Sequence, residues 1–180
     1  MTQLLLIVGE PGAGKTSAMR EGTQHLNRLT IPPDTFPARD ALLNPKGLVG
    51  VELGAQRGVF SGTDALPMDV NPKACAYIQN PPEQPAVVLA EGARLTNRRF
   101  LQAAVDAGAQ VTLLHLDNPQ ADTWRAARAE QLGKTQNEQW AKGRATAARN
   151  LAANPPAGVQ VVTVPHPDDA AKIIRRALGQ

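Results

Sequence analysis

Apolar residues fall into short continuous runs that are separated by longer segments of mixed polarity. Three runs predict buried strands, at residues 4–8, 86–90 and 111–116, because a strand covered on both faces has no polar side to present. Two weaker runs, at 47–54 and 159–164, predict further strands. The alternation of strands and helical segments predicts an α/β fold with about five mainly parallel strands.

The intervening segments carry start and stop signals for helices. Helices are predicted at 17–29, 71–79, 96–107, 118–133, 135–154 and 167–178. Asn118-Pro119 offers a cap followed by a proline at the first helical position. Thr135 and Glu138 have the spacing of a capping box. Residues 30–47 contain four prolines and are predicted to form a loop.

Composition indicates one globular domain covering 1–180. The chain has 180 residues, of which 42% are hydrophobic and 19% charged, as expected for a packed core and not for a disordered chain. The single Cys75 excludes an internal disulfide and suits a reducing cytoplasm. His25, His115 and His166 are scattered without metal-ligand spacing and are interpreted as structural.

Hydropathy and charge narrow the location and the partners. No segment is long enough for a transmembrane helix, and the apolar N-terminal run lacks the basic start of a signal peptide. We therefore expect a cytoplasmic protein with no membrane partner. A net charge of +3 is compatible with nucleic acid but does not identify it as a partner.

The strongest chemical signal is the segment 9–16, which reads G-x-x-x-x-G-K-T between the first strand and the first helix. This is the P-loop pattern. Its glycines let backbone N–H groups wrap phosphate oxygens, and the following helix adds its positive N-terminal end. We expect Lys15 to reach the terminal phosphates and Thr16 to ligate Mg²⁺. The predicted nucleotide contacts are Gly9, Pro11, Gly12, Ala13, Gly14, Lys15, Thr16 and Ser17.

Two carboxylates are candidates for the chemistry beside that loop. Ligands of open α/β sheets bind at the carboxyl ends of the strands, and Glu91 directly follows the strand at 86–90. It is predicted to hold Mg²⁺ or to accept a proton, the alternative being a solvated loop carboxylate. Asp64, in the loop 55–69, is predicted to orient an acceptor hydroxyl, the alternative being a capped turn. Predicted substrate contacts are Arg57, Ser61, Thr63, Asp64 and Arg94.

Residues 119–150 form a basic helical segment that resembles a lid. Arg125 and Arg128 are three residues apart and share a helix face. They are predicted to close on the γ-phosphate and to neutralise its charge during transfer; this interpretation extends less readily to Arg144. The alternative is a solvated basic face.

The P-loop near the N-terminus, the acid after a central strand and the arginine-bearing segment together resemble the P-loop kinases. That resemblance implies a three-layer nucleotide-kinase-like fold with a helical lid, and a phosphotransferase that uses ATP and Mg²⁺. It also implies Asp64 as the base and Arg125 and Arg128 as lid arginines.

A closer resemblance involves 60–68 (Phe-Ser-Gly-Thr-Asp-Ala-Leu-Pro-Met) and 90–95 (Ala-Glu-Gly-Ala-Arg-Leu). These segments look like the bacteriophage P-loop kinases of thymine hypermodification. The resemblance implies phosphate transfer to the hydroxymethyl group of 5-hydroxymethyluracil in DNA, with DNA as a partner and the host cytoplasm as the location if a phage encodes the chain. The base would have to leave the duplex, and the candidates to stack on it are Phe60, Tyr77, Trp124 and Trp140.

Two other functions stay open at this point. One is a kinase of a free nucleoside, nucleotide or other small metabolite, which would use the same P-loop and carboxylates. The other is a P-loop ATPase that acts as a conformational switch. The long polar loop around Asp64 favours an acceptor site over a switch.

Overall fold

In the part of the chain that the structure describes, seven strands form one central sheet. The computed structural model describes residues 1–54, 62–133 and 137–179. The elements in chain order are β1 (Gln3–Val8), α1 (Lys15–Thr23), β2 (Asn27–Ile31), β3 (Arg39–Asn44), β4 (Gly47–Leu53), a 3-10 helix (Gly62–Ala65), α2 (Asn71–Gln79), β5 (Val87–Glu91), α3 (Arg98–Asp106), β6 (Gln110–Leu116), α4 (Ala121–Leu132), α5 (Glu138–Ala153), β7 (Val159–Val164) and α6 (Pro167–Ala177).

The strands lie in the order β2-β3-β4-β5-β1-β6-β7. The five predicted strands, β4, β5, β1, β6 and β7, are parallel to one another. β1 lies between β5 and β6, with Leu5 opposite Leu89 on one side and Thr112 on the other. Its apolar run is fully buried from Leu4 to Ile7, which is the environment that a continuous apolar strand requires.

Helices cover both faces of this sheet. On one face α2, α3 and α5 contribute side chains such as Tyr77, Phe100 and Leu151 to the core. On the other, Met19 of α1 and Ile174 of α6 pack with alternate residues of β1 and β5. At Gly22 a Cβ would lie 2.7 Å from the Cβ of Ile174, so glycine lets α1 and α6 approach closely. The result is the predicted three-layer α/β architecture.

The predicted number of strands was wrong, because β2 and β3 were missed. The predicted helix 17–29 ends at Thr23, and Leu29 is an exposed β2 residue and not part of a helical apolar face. The predicted loop 30–47 contains β3 and the end of β2, which form an antiparallel edge with β4. Both strands carry charged residues, so their sequences lack a continuous apolar run.

An ion-pair network explains how those charged residues are buried. Arg28 of β2 donates to Asp40 of β3 at 3.0 Å and to Glu52 of β4 at 2.6 Å. The same guanidinium donates to the Thr23 hydroxyl at the end of α1, at 2.6 Å. Asp40 and Glu52 are each only 2% exposed, so one arginine compensates two buried carboxylates and ties three strands to α1.

Two predicted helix starts also differ from the structure. α4 begins at Ala121 and not at Pro119, because Asn118 makes a long-range contact described below. α5 begins at Glu138 with Asn137 as its cap, whose Oδ1 accepts a hydrogen bond from Trp140 N at 3.1 Å. The capping box predicted at Thr135 therefore does not start this helix, and Thr135 itself lies outside the described residues.

The remaining helices, α2, α3 and α6, lie within two residues of their predicted bounds. Gly133 ends α4 in a left-handed conformation, as expected. In the described ranges, every helix is too short or too polar to cross a membrane.

Candidate active site

The loop between β1 and α1 has a backbone that only glycine accommodates at two positions. Gly12 and Gly14 have φ of +89° and +99°, which places both in the left-handed region. A Cβ at Gly12 would lie 2.4 Å from Ala121 O, and one at Gly14 would lie 2.4 Å from Pro167 Cγ. The first turn of α4 and the start of α6 thus pack directly against the loop.

Asn118, which follows β6, holds this loop in place. Its Nδ2 donates to Ala13 O at 3.1 Å, and its Oδ1 accepts from Gln120 N at 2.9 Å. The side chain is buried, and both hydrogen bonds satisfy it. Sequence reasoning assigned Asn118 to a helix cap and missed this role. The available signal was its position directly beyond the carboxyl end of a central strand.

Lys15 lies folded against the loop that precedes it. Its Nζ donates to Gly9 O at 3.0 Å and to Glu10 O at 2.8 Å. Burial lowers the pKa of the Lys15 ammonium group, although the carboxylates of Glu91, Asp64 and Glu10 act in the opposite direction. A phosphate at this position would replace two neutral carbonyls with an anionic partner for the ammonium group.

Glu91 ends β5 beside the P-loop and is 2% exposed. Its Oε1 accepts a hydrogen bond from Thr16 Oγ1 at 3.0 Å. Burial raises the pKa of Glu91 to about 7, an effect that Lys15 opposes and Asp64 reinforces. The buried Glu91 carboxylate, whose negative charge a cation would stabilise, therefore lies within hydrogen-bond distance of the Thr16 hydroxyl.

Asp64 and Thr63, in the 3-10 helix, are fixed against the same strand end. Thr63 Oγ1 donates to Glu91 O at 2.7 Å, and Asp64 Oδ1 accepts from Ala93 N at 2.9 Å. A Cβ at Gly92 would lie 3.0 Å from Asp64 Oδ1, so glycine allows this close approach. Thr63 is fully buried and anchors the loop; its contact with substrate stays a prediction. Asp64 is exposed.

A cavity of about 250 Å³ joins these groups. It is lined by the P-loop, by Asp64 and Glu91, by Gly92, Ala93 and Thr96, and by residues of α4 and α5. The predicted site residues that line it are Gly9, Pro11, Gly12, Gly14, Lys15, Thr16, Ser17, Asp64, Glu91 and Arg128. The fold therefore brings the P-loop, both carboxylates and one predicted lid arginine together.

The other predicted site residues lie elsewhere or outside the described residues. Arg125 pairs with Asp122 at 2.6 Å and packs its Cβ against Gly12. Arg94 Nε donates to Leu66 O at 3.3 Å. Neither belongs to the described lining of the cavity. Arg57 and Ser61 fall in the segment 55–61, which lies outside the described residues.

Arg144 of α5 was the weaker candidate among the predicted lid arginines. It lines the cavity, and its guanidinium lies 5.8 Å from the centre of the Trp140 ring. Trp124 of α4 lines the same cavity, and its ring is 6.0 Å from that of His166 in an edge-to-face arrangement. His166 Nδ1 accepts from Asp168 N at 3.3 Å, a capping role for α6.

The donor set suits a magnesium ion that is shared with phosphates. Thr16 and Glu91 offer a hydroxyl and a carboxylate 3.0 Å apart, and Mg²⁺ favours one or two such protein ligands together with substrate phosphates and water. Within the described parts of the chain, no group of three or more His, Cys, Asp and Glu side chains could hold a metal on its own. A metal here would depend on a nucleotide to complete its ligands.

A parallel strand, a P-loop with its lysine and threonine, and an acid on the neighbouring strand define a P-loop nucleotide-binding protein. The family model described as P-loop Nucleotide Kinase3 matches residues 1–179. The chain belongs to this family, which supports a phosphotransferase of the kinase type. No curated protein and no solved structure matches the chain.

Proposed function

We propose that the protein transfers the γ-phosphoryl group of ATP, with Mg²⁺, to the hydroxymethyl group of 5-hydroxymethyluracil in phage DNA. The observation that carries the proposal is the meeting of two carboxylates with the P-loop in one cavity. Lys15, Thr16, Asp64 and Glu91 all line it. A nucleotide switch needs the P-loop lysine and threonine and one carboxylate. The second carboxylate beside the loop favours a site for an acceptor hydroxyl.

In this proposal Thr16 and Glu91 hold the metal. Their hydrogen bond keeps the hydroxyl and the carboxylate together, and a magnesium ion held by them would reduce the negative charge of the phosphates. Lys15 turns from the carbonyls of Gly9 and Glu10 to the phosphates. Its attraction to them increases because the site is buried.

Asp64 acts as the base that orients the acceptor. Its side chain is exposed to the cavity, whereas Glu91 is buried and engaged by Thr16. The hydrogen bond from Ala93 N leaves Asp64 Oδ2 for the acceptor hydroxyl. Arg128 and Arg144 line the opposite side and stabilise charge on the transferred group.

The DNA base as acceptor is supported by the resemblance of 60–68 and 90–95 to the phage kinases. The described parts of these two segments, 62–68 and 90–95, are joined by the contacts of Thr63 and Asp64 with 91–93. Of these two segments, Asp64, Glu91, Gly92 and Ala93 line the cavity. A free nucleoside, nucleotide or small metabolite is the alternative acceptor.

Transfer of labelled phosphate from ATP tests the proposal. The acceptors compared are DNA containing 5-hydroxymethyluracil, unmodified DNA of the same sequence, and free nucleosides. We expect magnesium-dependent label on the modified DNA alone. Label only on free nucleosides would exclude the DNA base, and release of inorganic phosphate with every acceptor left unlabelled would exclude a kinase.

A further inference from the structure

Trp140, on the first turn of α5, presents an exposed aromatic face to the cavity. Its side chain lines the cavity although the residue is 45% exposed. The other exposed large apolar residues in the described chain are Met1, Leu29, Leu48 and Met68, and none of them lines the cavity. Exposing an indole has a solvation cost, and a flat ligand would remove that cost by stacking on it.

Arg144, one turn further along α5, extends this surface. Its guanidinium lies 5.8 Å from the Trp140 ring centre, and both residues face the cavity. An indole with a cation beside it can bind a ligand that has a planar ring and a negatively charged group close to that ring. An aliphatic metabolite has no flat face to stack on this surface.

The cavity continues into a groove between α5 and the start of α3. The groove is lined by Thr96, Asn97 and Arg98 on one side and by Ala147, Asn150, Leu151 and Asn154 on the other. Thr96 and Ala147 belong to both the cavity and the groove. We call the combined path along α5, from Trp140 to Asn154, the α5 channel. At the rise of an α-helix it is about 20 Å long.

The chemistry of the α5 channel changes along its length. Near Trp140 it is aromatic and cationic, in the middle the small side chains of Ala147 and Ala148 leave space, and beyond them Asn150 and Asn154 offer amides. The described lining of the groove contains no carboxylate and one cation, Arg98. Arg98 Nη1 donates to Asn154 O, which leaves its other N–H groups available to an anion.

We propose that the α5 channel binds the phosphate acceptor as a short single-stranded segment of nucleic acid. One base stacks on Trp140, and phosphates farther along the same strand pass Arg98, because one nucleotide is too short to reach both ends of a path of about 20 Å. This inference rests on the proposed function. In that function the acceptor hydroxyl must approach the γ-phosphate from the side opposite the P-loop. Asp64 lies in the same cavity as Trp140, where it can orient a hydroxyl on the stacked base.

Kinetics of Trp140→Ala, Trp140→Phe and Arg98→Gln test the channel, with an oligonucleotide containing 5-hydroxymethyluracil as the acceptor. We expect Trp140→Ala to raise KM for the acceptor about 10- to 100-fold, with KM for ATP unchanged. Trp140→Phe keeps a stacking face and should recover most of the loss. Arg98→Gln should also raise the acceptor KM, whereas Arg99→Gln, on the next and also exposed residue of α3, should not. An unchanged acceptor KM in both Trp140→Ala and Arg98→Gln would overturn the proposal.

Binding without ATP separates this inference from the proposed reaction. The probes are a labelled single-stranded oligonucleotide and a nucleoside monophosphate, measured by fluorescence anisotropy and by quenching of tryptophan fluorescence. Weaker oligonucleotide binding by Trp140→Ala and by Arg98→Gln supports the channel even if no acceptor is phosphorylated. The mononucleotide is too short to reach both residues, so its binding should depend on Trp140 and not on Arg98. Binding of both probes that is indifferent to both substitutions would overturn the channel even if phosphate transfer proceeds.

Discussion

Thr16 of α1 donates a hydrogen bond to Glu91 of β5, with 3.0 Å between the two oxygens. The contact joins the last residue of the P-loop to a carboxylate that is 2% exposed. A neutral hydroxyl does not compensate a buried negative charge. The structure therefore contains a site that a divalent cation would stabilise and that is costly to the protein without one.

Replacement of Glu91 by glutamine should change how stability depends on pH. Because the folded-state pKa of Glu91 is raised to about 7, the folded protein retains a proton that the unfolded chain has already lost. The free energy of unfolding should therefore fall as the pH rises from about 4.5 to about 7, by roughly 3 kcal/mol from this group. Glu91→Gln should lose that part of the pH dependence.

Urea unfolding of both proteins between pH 4.5 and pH 8, without nucleotide or metal, measures the difference. Relative to the wild type, Glu91→Gln should be most stable at the alkaline end. Added ATP and Mg²⁺ should reverse the order by stabilising the wild type alone. Parallel pH curves would contradict the assigned titration of Glu91.

Lys15→Ala should abolish phosphate transfer without loss of the fold. Among the described residues, the partners of Lys15 are two backbone carbonyls of its own loop, and its burial disfavours the charge, so its removal has a small structural cost. We expect kcat to fall at least about 1,000-fold, as for other donors that stabilise transferring phosphoryl groups. The exposed Lys46 in the turn after β3 provides the control Lys46→Ala, which should remain fully active.

Asp64→Asn should separate catalysis from nucleotide binding. Asparagine retains an oxygen that can accept the hydrogen bond from Ala93 N but loses the negative charge that orients a hydroxyl proton. We expect kcat to fall about 100-fold or more with little change in the dissociation constant for ATP. Asp64→Ala should lose both the loop contact and the charge. Equal losses in kcat and ATP affinity for Asp64→Asn would contradict the role of base.

The sequence predicts the central sheet and the phosphate loop because each depends on local signals. β1 and β5 are continuous apolar runs, and the P-loop has fixed residues at fixed spacing. Glu91 could be predicted because parallel strands end at the same edge of a sheet, so a residue after β5 must lie near the loop after β1. These inferences need chain order and periodicity alone.

The missed features depend on contacts between distant residues. β2 and β3 are stabilised by the pairing of Arg28 with Asp40 and Glu52, and such pairs have no signature within one segment. Asn118 lies 105 positions from Ala13 in sequence. Arg144 faces the cavity because of how α5 rotates against the sheet, which helix periodicity alone does not determine.

Arg28→Met should destabilise the protein by about 3 kcal/mol. It would leave Asp40 and Glu52, each with a side chain 3% exposed, without their shared cation, which is the costly way to break a buried pair. Because burial raises the pKa of Glu52, the loss should shrink as the pH falls and this carboxylate takes up a proton.

Urea unfolding at neutral and acidic pH measures the effect of Arg28→Met. The control Arg20→Met, at an exposed position of α1, should change stability by less than about 0.5 kcal/mol. Adding Glu52→Gln to Arg28→Met should restore part of the loss. No difference between Arg28→Met and Arg20→Met would contradict the role of the network.

Gly14→Ala should remove nucleotide binding, and Gly108→Ala is its matched control. Both glycines have positive φ, +99° and +75°, so alanine is strained at either position by about 1–2 kcal/mol. Only at Gly14 does the new Cβ collide, 2.4 Å from Pro167 Cγ, whereas the space beside Gly108 is open. Relief of that collision requires the P-loop to move away from α6. We therefore expect Gly14→Ala to lose ATP binding in calorimetric titration. Gly108→Ala should retain wild-type affinity despite its lower stability. Retained ATP affinity in Gly14→Ala would mean that the loop does not need this conformation to bind phosphate.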